Sequence, residues 1–516
     1  MRLDRTLLRN AGRWLLHRSA PLLALFLLLL VYFLGVRTER SGFVQQVLDP
    51  GLKRITRPVL NAFRGGAPKV EEIQLVFSDS AWQRLEHWGI GPLPVDTPDS
   101  APSTSVEALL IRGKDTLRVD CTPALTGPAP LHAAAPTCIL RSPGPDLPGG
   151  MSRALIAPPG ESSALHQWLF AKALERAGLP FFPVALTELR VNGRDKGLYV
   201  WRSLDPAIDS AMTAHPWGDF DPHLMQRASL LPSPHRTAPL PQEQLIVASL
   251  RYQGGQAEGP AARAWSRAMR TLRSSADGEN LDAERCGALL ALCDLFGVQG
   301  ELRWTEVKLL LDISTGKLVP FPPGERAGVA IGTLAVHAPE VRSDELFGPL
   351  LADGSVREAY HGWLEQLTVG GWSDSLFSEV NEVAMEFRSL MRIEPSLAPF
   401  DTTIIAHDRR VIERTLAPPD PARAFLRPGG DRVRVASLHP LPLRMVALVS
   451  GEDTLPILQD LRLAPYDRAT LLDYVEIPIS PSGGVPDRLL MKVPGTKRML
   501  SVGIERSGSL DAVSGM

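Results

Sequence analysis

From Val70 onward the apolar positions follow two rhythms, one of period two and one of period three to four. EEIQLVF at 71–77, VEALLIR at 106–112 and DTLRVDC at 115–121 alternate apolar and polar residues, which predicts a β-rich leading segment around a Pro/Ser-rich loop. Residues 163–177 place Leu165, Trp168, Leu169, Ala173 and Leu174 on one helical face, with Gly178 as the stop. A hairpin follows, its strands at 186–191 and 197–201 and its turn at Asn192-Gly193, a pair suited to the positive φ of a tight turn. Residues 205–262 are rich in Pro, Gly and His and predict a long loop region with short elements. Helical spacing returns at 261–272 and 283–296. A buried strand is expected at 306–311, a turn at 314–317 leading to Leu318-Val319, and amphipathic helices at 346–367 and 376–391. Beyond the Pro-rich break at 417–422, the runs RVRVASL, LRMVALVS, DYVEIPIS and RLLMKV predict a small separate β-sandwich.

The N-terminus has a different texture. Residues 19–36 (SAPLLALFLLLLVYFLGV) carry no charge, and at ~1.5 Å per residue they reach ~27 Å, about the hydrocarbon thickness of a bilayer. Arg2, Arg5, Arg9, Arg13 and Arg18 precede the segment against one acid, Asp4, a bias that places the N-terminus in the cytoplasm. A cleaved signal peptide is the rival reading, but Arg37, Glu39 and Arg40 follow without a small-x-small cleavage site. The expectation is a single-pass bacterial inner-membrane protein with most of its chain periplasmic or extracellular. Its divisions are a basic cytoplasmic segment at 1–18, a transmembrane helix at 19–36, a tether at 37–69, a main domain at 70–416 and the sandwich at 420–516.

Composition narrows the classes. The 516 residues exceed what one compact core usually holds. With 44% hydrophobic and 22% charged residues, the chain as a whole is neither disordered nor a multi-span membrane protein. A formal charge of -2 gives no warrant for nucleic acid as a partner. Cys286 and Cys293, seven apart in a helical pattern, lie ~10 Å apart along the axis and cannot bond to each other. Cys121 and Cys138 flank a Pro-rich loop and could form a disulfide in an oxidising compartment. His215, Asp219, Asp221 and His223 are conceivable metal ligands, but the Pro and Gly among them favour an exposed turn-rich loop, so no metal site is assigned.

The order helix, AGLPFFPVALTELRVNGRDKGLYVWRSLD, loop, helix, KLLLDISTGKLVPF resembles the spore-coat-protein-H (CotH) kinase-like family. Asn192, Gly193, Gly197, Tyr199 and Asp205 carry the most specific part, and the resemblance runs from about Val70 to Leu416. It implies an α+β chain: an atypical protein-kinase-like domain after one N-terminal transmembrane helix, with the C-terminal β-sandwich. It also implies ATP and Mg²⁺ as cofactors, because phosphoryl transfer needs a cation on the phosphates, ligands for magnesium and a carboxylate near the acceptor.

These requirements are poorly met. The chain has only nine lysines. Lys172, Lys196 and Lys317 lie in a helix or in turns, and Lys308 sits in the strand where the family carries ligand-bearing sequence. The family's phosphate lysine is matched by Arg227, whose planar fork is no equivalent of a compact point charge. Glu306 stands where an Asn is expected, Pro323 or Gly324 where a closing Asp is expected, and Ser203 or a neighbour where the hairpin Glu is expected. Asp312 is the only aspartate of the stretch 297–324 and has the setting of a turn residue. The residues that would serve are therefore Glu306 and Asp312 as catalytic groups and Arg227 and Lys308 on the nucleotide. The implied site is a degenerate pseudokinase site whose ATP and Mg²⁺ binding is impaired or absent. The resulting expectation is a membrane-anchored envelope protein that binds or scaffolds an envelope or exported protein. The alternatives are an active kinase for Ser/Thr of exported proteins and a non-kinase envelope assembly module.

Overall fold

A computed structural model describes residues 70–87, 105–123, 137–144, 147, 152–158, 164–204, 217–220, 248–251, 281–303, 306–312, 315–322, 324–344, 346–391, 401–466, 471–479 and 484–506. Among these, β1 (Glu71–Phe77), β2 (Val106–Arg112), β3 (Asp115–Pro123), β4 (Cys138–Arg141), β5 (Arg153–Ala157), β6 (Val184–Val191) and β7 (Arg194–Ser203) close into a barrel in the order β1-β2-β3-β4-β5-β7-β6. Helices α1 (Asp79–His87) and α2 (Ala164–Arg176) interrupt the strands. The period-two rhythm decides what fills the barrel. Ile73, Leu75 and Phe77 of β1 and Val106, Ala108 and Leu110 of β2 turn inward, joined by Tyr199 and Trp201 of β7. The opposite face of β6 and β7 gives Leu186, Leu198 and Val200 to a small cluster with Ala164 of α2.

The seam of the barrel is the parallel pairing of β1 with β6, Glu71 opposite Thr187 through Leu75 opposite Val191. Asn192 sits beside it, at a φ of 48° that an L-residue tolerates best as Asn. Its backbone N–H donates to Leu75 O at 2.9 Å, and its Oδ1 accepts from Phe77 N at 2.7 Å. The turn residue thus also stitches the closing strands.

Two further β units follow. β8 (Trp217–Phe220), β9 (Ala248–Arg251), β10 (Lys308–Asp312) and β11 (Lys317–Phe321) form a sheet in the order β11-β10-β8-β9. Helices α3 (Ala283–Leu295), α4 (Pro339–Arg342), α5 (Phe347–Ala352), α6 (Gly354–Thr368), α7 (Trp372–Met391) and α8 (Thr402–Leu416) make up the central body. The single helix expected over 346–367 is two, because Asp353 caps α6 by accepting from Ser355 N and Val356 N. Helices α3 and α6 touch closely: a Cβ on Gly287 would lie 2.5 Å from Tyr360 N.

β12 (Ala422–Leu426), β13 (Arg432–Ser437), β14 (Leu443–Ser450), β15 (Asp453–Pro456), β17 (Val475–Pro478), β18 (Arg488–Lys492) and β19 (Leu500–Arg506) form one continuous sheet in the order β15-β14-β18-β19-β12-β13-β17, with β16 (Arg462–Leu463) beside β14. Its apolar side chains join the same core as the helices, from Leu289 and Leu364 to Val433 and Met491. Glu365 of α6 fixes the junction by accepting from Lys497 N and Arg498 N, each at 2.7 Å.

Several expectations require correction. The architecture is a closed barrel, a four-stranded sheet and an eight-stranded sheet around helices, not an atypical kinase-like fold followed by a two-sheet sandwich. The hairpin carrying the resemblance is built as expected, but parallel pairing to a strand more than a hundred residues upstream turns it into a barrel wall. Among the described residues no helix is long and apolar enough to cross a membrane. The longest, α7, carries Asp374, Glu379 and Glu382. The segment 19–36 and the helix expected at 261–272 lie outside the described residues. The anchor, the membrane as partner, the envelope partner and the single-pass inner-membrane location therefore find no spanning helix among the described residues.

The stitch can be tested by Asn192→Gly, which keeps the turn conformation and removes only the bond to Phe77 N. Chemical denaturation should show a loss of about 1 kcal/mol, whereas a purely local turn role leaves the midpoint unchanged.

Candidate functional site

Three of the expected site residues lie on or just before β10. Arg227 lies outside the described residues. Lys308 opens β10 and Asp312 closes it, so four residue steps of strand, about 13 Å, separate their backbones. Lys308 is paired in register with Asp219 of β8 and Phe321 of β11; His215, Asp221 and His223 lie outside the described residues. Glu306 precedes the strand and meets Arg326 Nη2 at 3.5 Å. Asp312 is buried, accepting from Arg285 Nη1 at 3.2 Å and from Thr315 N at 3.4 Å, in keeping with a turn residue. Ser203 ends β7 fully buried.

Another polar cluster occupies the centre of the body. Residues 324–338, between β11 and α4, form a strap without regular structure whose backbone groups need partners. Three buried carboxylates from three elements supply them. Glu301, in the 3₁₀ turn Gln299–Glu301, accepts from Gly324 N at 2.7 Å and from Arg326 N. Asp408 of α8 accepts from Ile331 N at 3.0 Å. Asp294 of α3 accepts from Ala335 N at 3.0 Å, from Gln299 Nε2 and from the Tyr360 hydroxyl. Gln299 Nε2 also donates to Thr333 O at 2.7 Å, and Gly328 N donates to Phe296 O at 2.8 Å. Outside, Arg202 pairs with Glu325, and Gln167 Nε2 donates to Glu325 O at 3.1 Å.

Burial dominates the electrostatics. It pushes Asp294 up to about 7, against the bonds from Tyr360, Gln299 and Ala335, with the nearby Asp408 carboxylate adding to the rise. Glu301 is likewise raised to about 7 by burial, against the bonds from Arg326 N and Gly324 N, while Glu325 and Glu306 add repulsion. Asp408 is raised to about 7 by burial, opposed by Ile331 N. These acids sit near the proton affinity of a general base, but they are enclosed and aimed at backbone amides. Their chemistry is to hold a chain segment in place.

Sequence reasoning missed this cluster. One signal was available: Asp294 stands alone in the apolar run ALLALCDLFGV, where an unpartnered carboxylate would be costly. Glu301 and Asp408 carried no comparable mark.

The carboxylates that the resemblance offers do not form a magnesium site among the described residues. Arg285 holds Asp312, Arg326 holds Glu306, and no group of three or more His, Cys, Asp or Glu among the described residues could hold a metal ion. No family model matches this chain, and no curated protein matches it. The family resemblance rests on its own motifs.

Carboxyls raised on folding favour the folded state only while protonated. The cost is absent below their unfolded values near 4, grows as pH rises, and is complete above about 7. The thermal midpoint should therefore fall by several degrees between pH 5.5 and 8.5, and Asp294→Asn should make that slope shallower. A midpoint that climbs over this range in calorimetry would contradict the assignment.

Proposed function

We propose that the chain acts by binding, as a scaffold for a protein partner, and does not transfer phosphoryl groups. The observation that carries this reading is the Arg285–Asp312 pair. Asp312 is one of the two carboxylates that the sequence offers as catalytic groups, and its Oδ2 faces a guanidinium at 3.2 Å. A divalent cation at that oxygen would be repelled by Arg285 and would have to displace a charge-assisted bond made in a buried setting. Glu306 is engaged by Arg326 in the same way, although in a more exposed place.

Two features support a scaffold. The central body and the eight-stranded sheet share one core, so α6 and the sheet present a rigid joint surface. The strap that crosses the central body is held from three elements.

The test is the full chain with Mg-ATP labelled on the γ-phosphate and a dephosphorylated protein acceptor. The expected result is no incorporation and no nucleotide-dependent thermal shift, while Asp312→Asn costs about 1–2 kcal/mol of stability. Label transfer that disappears in Asp312→Asn would overturn the reading.

A further inference from the structure

The barrel interior holds a pair of nucleophiles that a scaffold role leaves unused. Cys121 on β3 and Cys138 on β4 both face the apolar interior, 1% and 3% exposed. The antiparallel register sets Cys121 opposite Leu140 and Cys138 opposite Pro123, which places the two cysteines on one diagonal of one face. All four described cysteines are free, and Cys121 and Cys138 are both buried. Cys286 and Cys293 are enclosed in α3, one on each side of a gap of ~10 Å along the axis, too far to bond. Chemistry between two thiols of this chain is therefore confined to the barrel pair.

We propose that Cys121 and Cys138 form a redox-sensitive staple, a disulfide that ties β3 to β4 inside the barrel when a low-molecular-weight disulfide is the oxidant. One protein thiol loses its proton, and its thiolate attacks a sulfur of the small disulfide, breaking that S–S bond and expelling one small thiolate, which takes up a proton. The second protein thiol, deprotonated in turn, attacks the protein sulfur of the mixed disulfide and expels the second small thiolate, which is also protonated. One S–S bond and two S–H bonds are broken, and one S–S and two S–H bonds are made. The two cysteines give up two electrons, which leave on the two small thiols.

The surroundings set the rate and the consequence. Hydrogen bonding to Cys138 and burial hold the Cys121 thiol well above its usual range, so thiolate is scarce at neutral pH and the exchange is slow there. The titratable group facing the pair is Tyr199 of β7, itself raised by burial and then by Cys138. β2 and β5 present only apolar residues to this interior, among them Val106, Ala108, Ala154 and Ile156. Because the link closes the chain between residues 121 and 138, it restricts the unfolded state and raises resistance to unfolding.

The full chain is incubated with oxidised glutathione at pH 8.5, quenched with acid, digested without reduction and mapped by mass spectrometry. The expected product is a peptide linking Cys121 to Cys138, with Cys286 and Cys293 free. The thermal midpoint should rise by roughly 3–6 °C and return on treatment with dithiothreitol. Cys138→Ala should give no intramolecular link, and the wild-type map decides the matter even where that variant folds poorly. Free thiols at both positions, glutathione adducts without the internal bond, or links to Cys286 or Cys293 would each overturn the proposal. A Cys121–Cys138 link that leaves the midpoint unchanged would overturn its stapling role.

Discussion

Three carboxylates that have left water hold the central body together. Asp294, Glu301 and Asp408 come from α3, a 3₁₀ turn and α8, and all three spend oxygen atoms on backbone N–H groups of one strap. Neither side can be removed cheaply: a buried strap amide without an acceptor and a buried carboxyl without donors are both costly. The constraint works in both directions. The strap can cross the interior only because the acids are there, and the acids are tolerated only because the strap brings donors.

The barrel solves the same problem by other means. Its backbone groups pair with neighbouring strands around a closed ring, so its interior is filled almost wholly by apolar side chains. Closure depends on the parallel β1–β6 seam and on Asn192, whose side chain reaches Phe77 N. A barrel satisfied by its own ladder and a body satisfied by side-chain carboxylates thus stand in one chain. Arg202 of β7 links them by pairing with Glu325 on the strap.

The resemblance was read from the hairpin and the KLLLDISTGKLVPF stretch. Both segments form the elements their patterns announced, and Asp312 makes the turn contacts expected of it. It gave no account of what those elements pair with. A β-hairpin with an Asn-Gly turn suits an open kinase-like sheet or a barrel wall equally well, because the turn dictates only its own two strands. Glu306 and Asp312, offered by the sequence as catalytic groups, each face an arginine in the fold.

Periodicity in the chain was enough to announce β1, β2 and β3, the Asn192-Gly193 hairpin, α2, α3, the β10–β11 pair and, beyond 420, β13, β14, β17 and β18, since these depend on contacts within a few residues or on one buried face. The break at Asp353, between α5 and α6, was less legible because the apolar rhythm runs through it. What the tertiary structure alone decided was closure of the barrel, fusion of the last sheet with the helical core and the meeting of Asp294, Glu301 and Asp408 on one strap. These depend on groups far apart in the chain, and a carboxylate in a helical pattern carries no mark of which distant amide it will accept from.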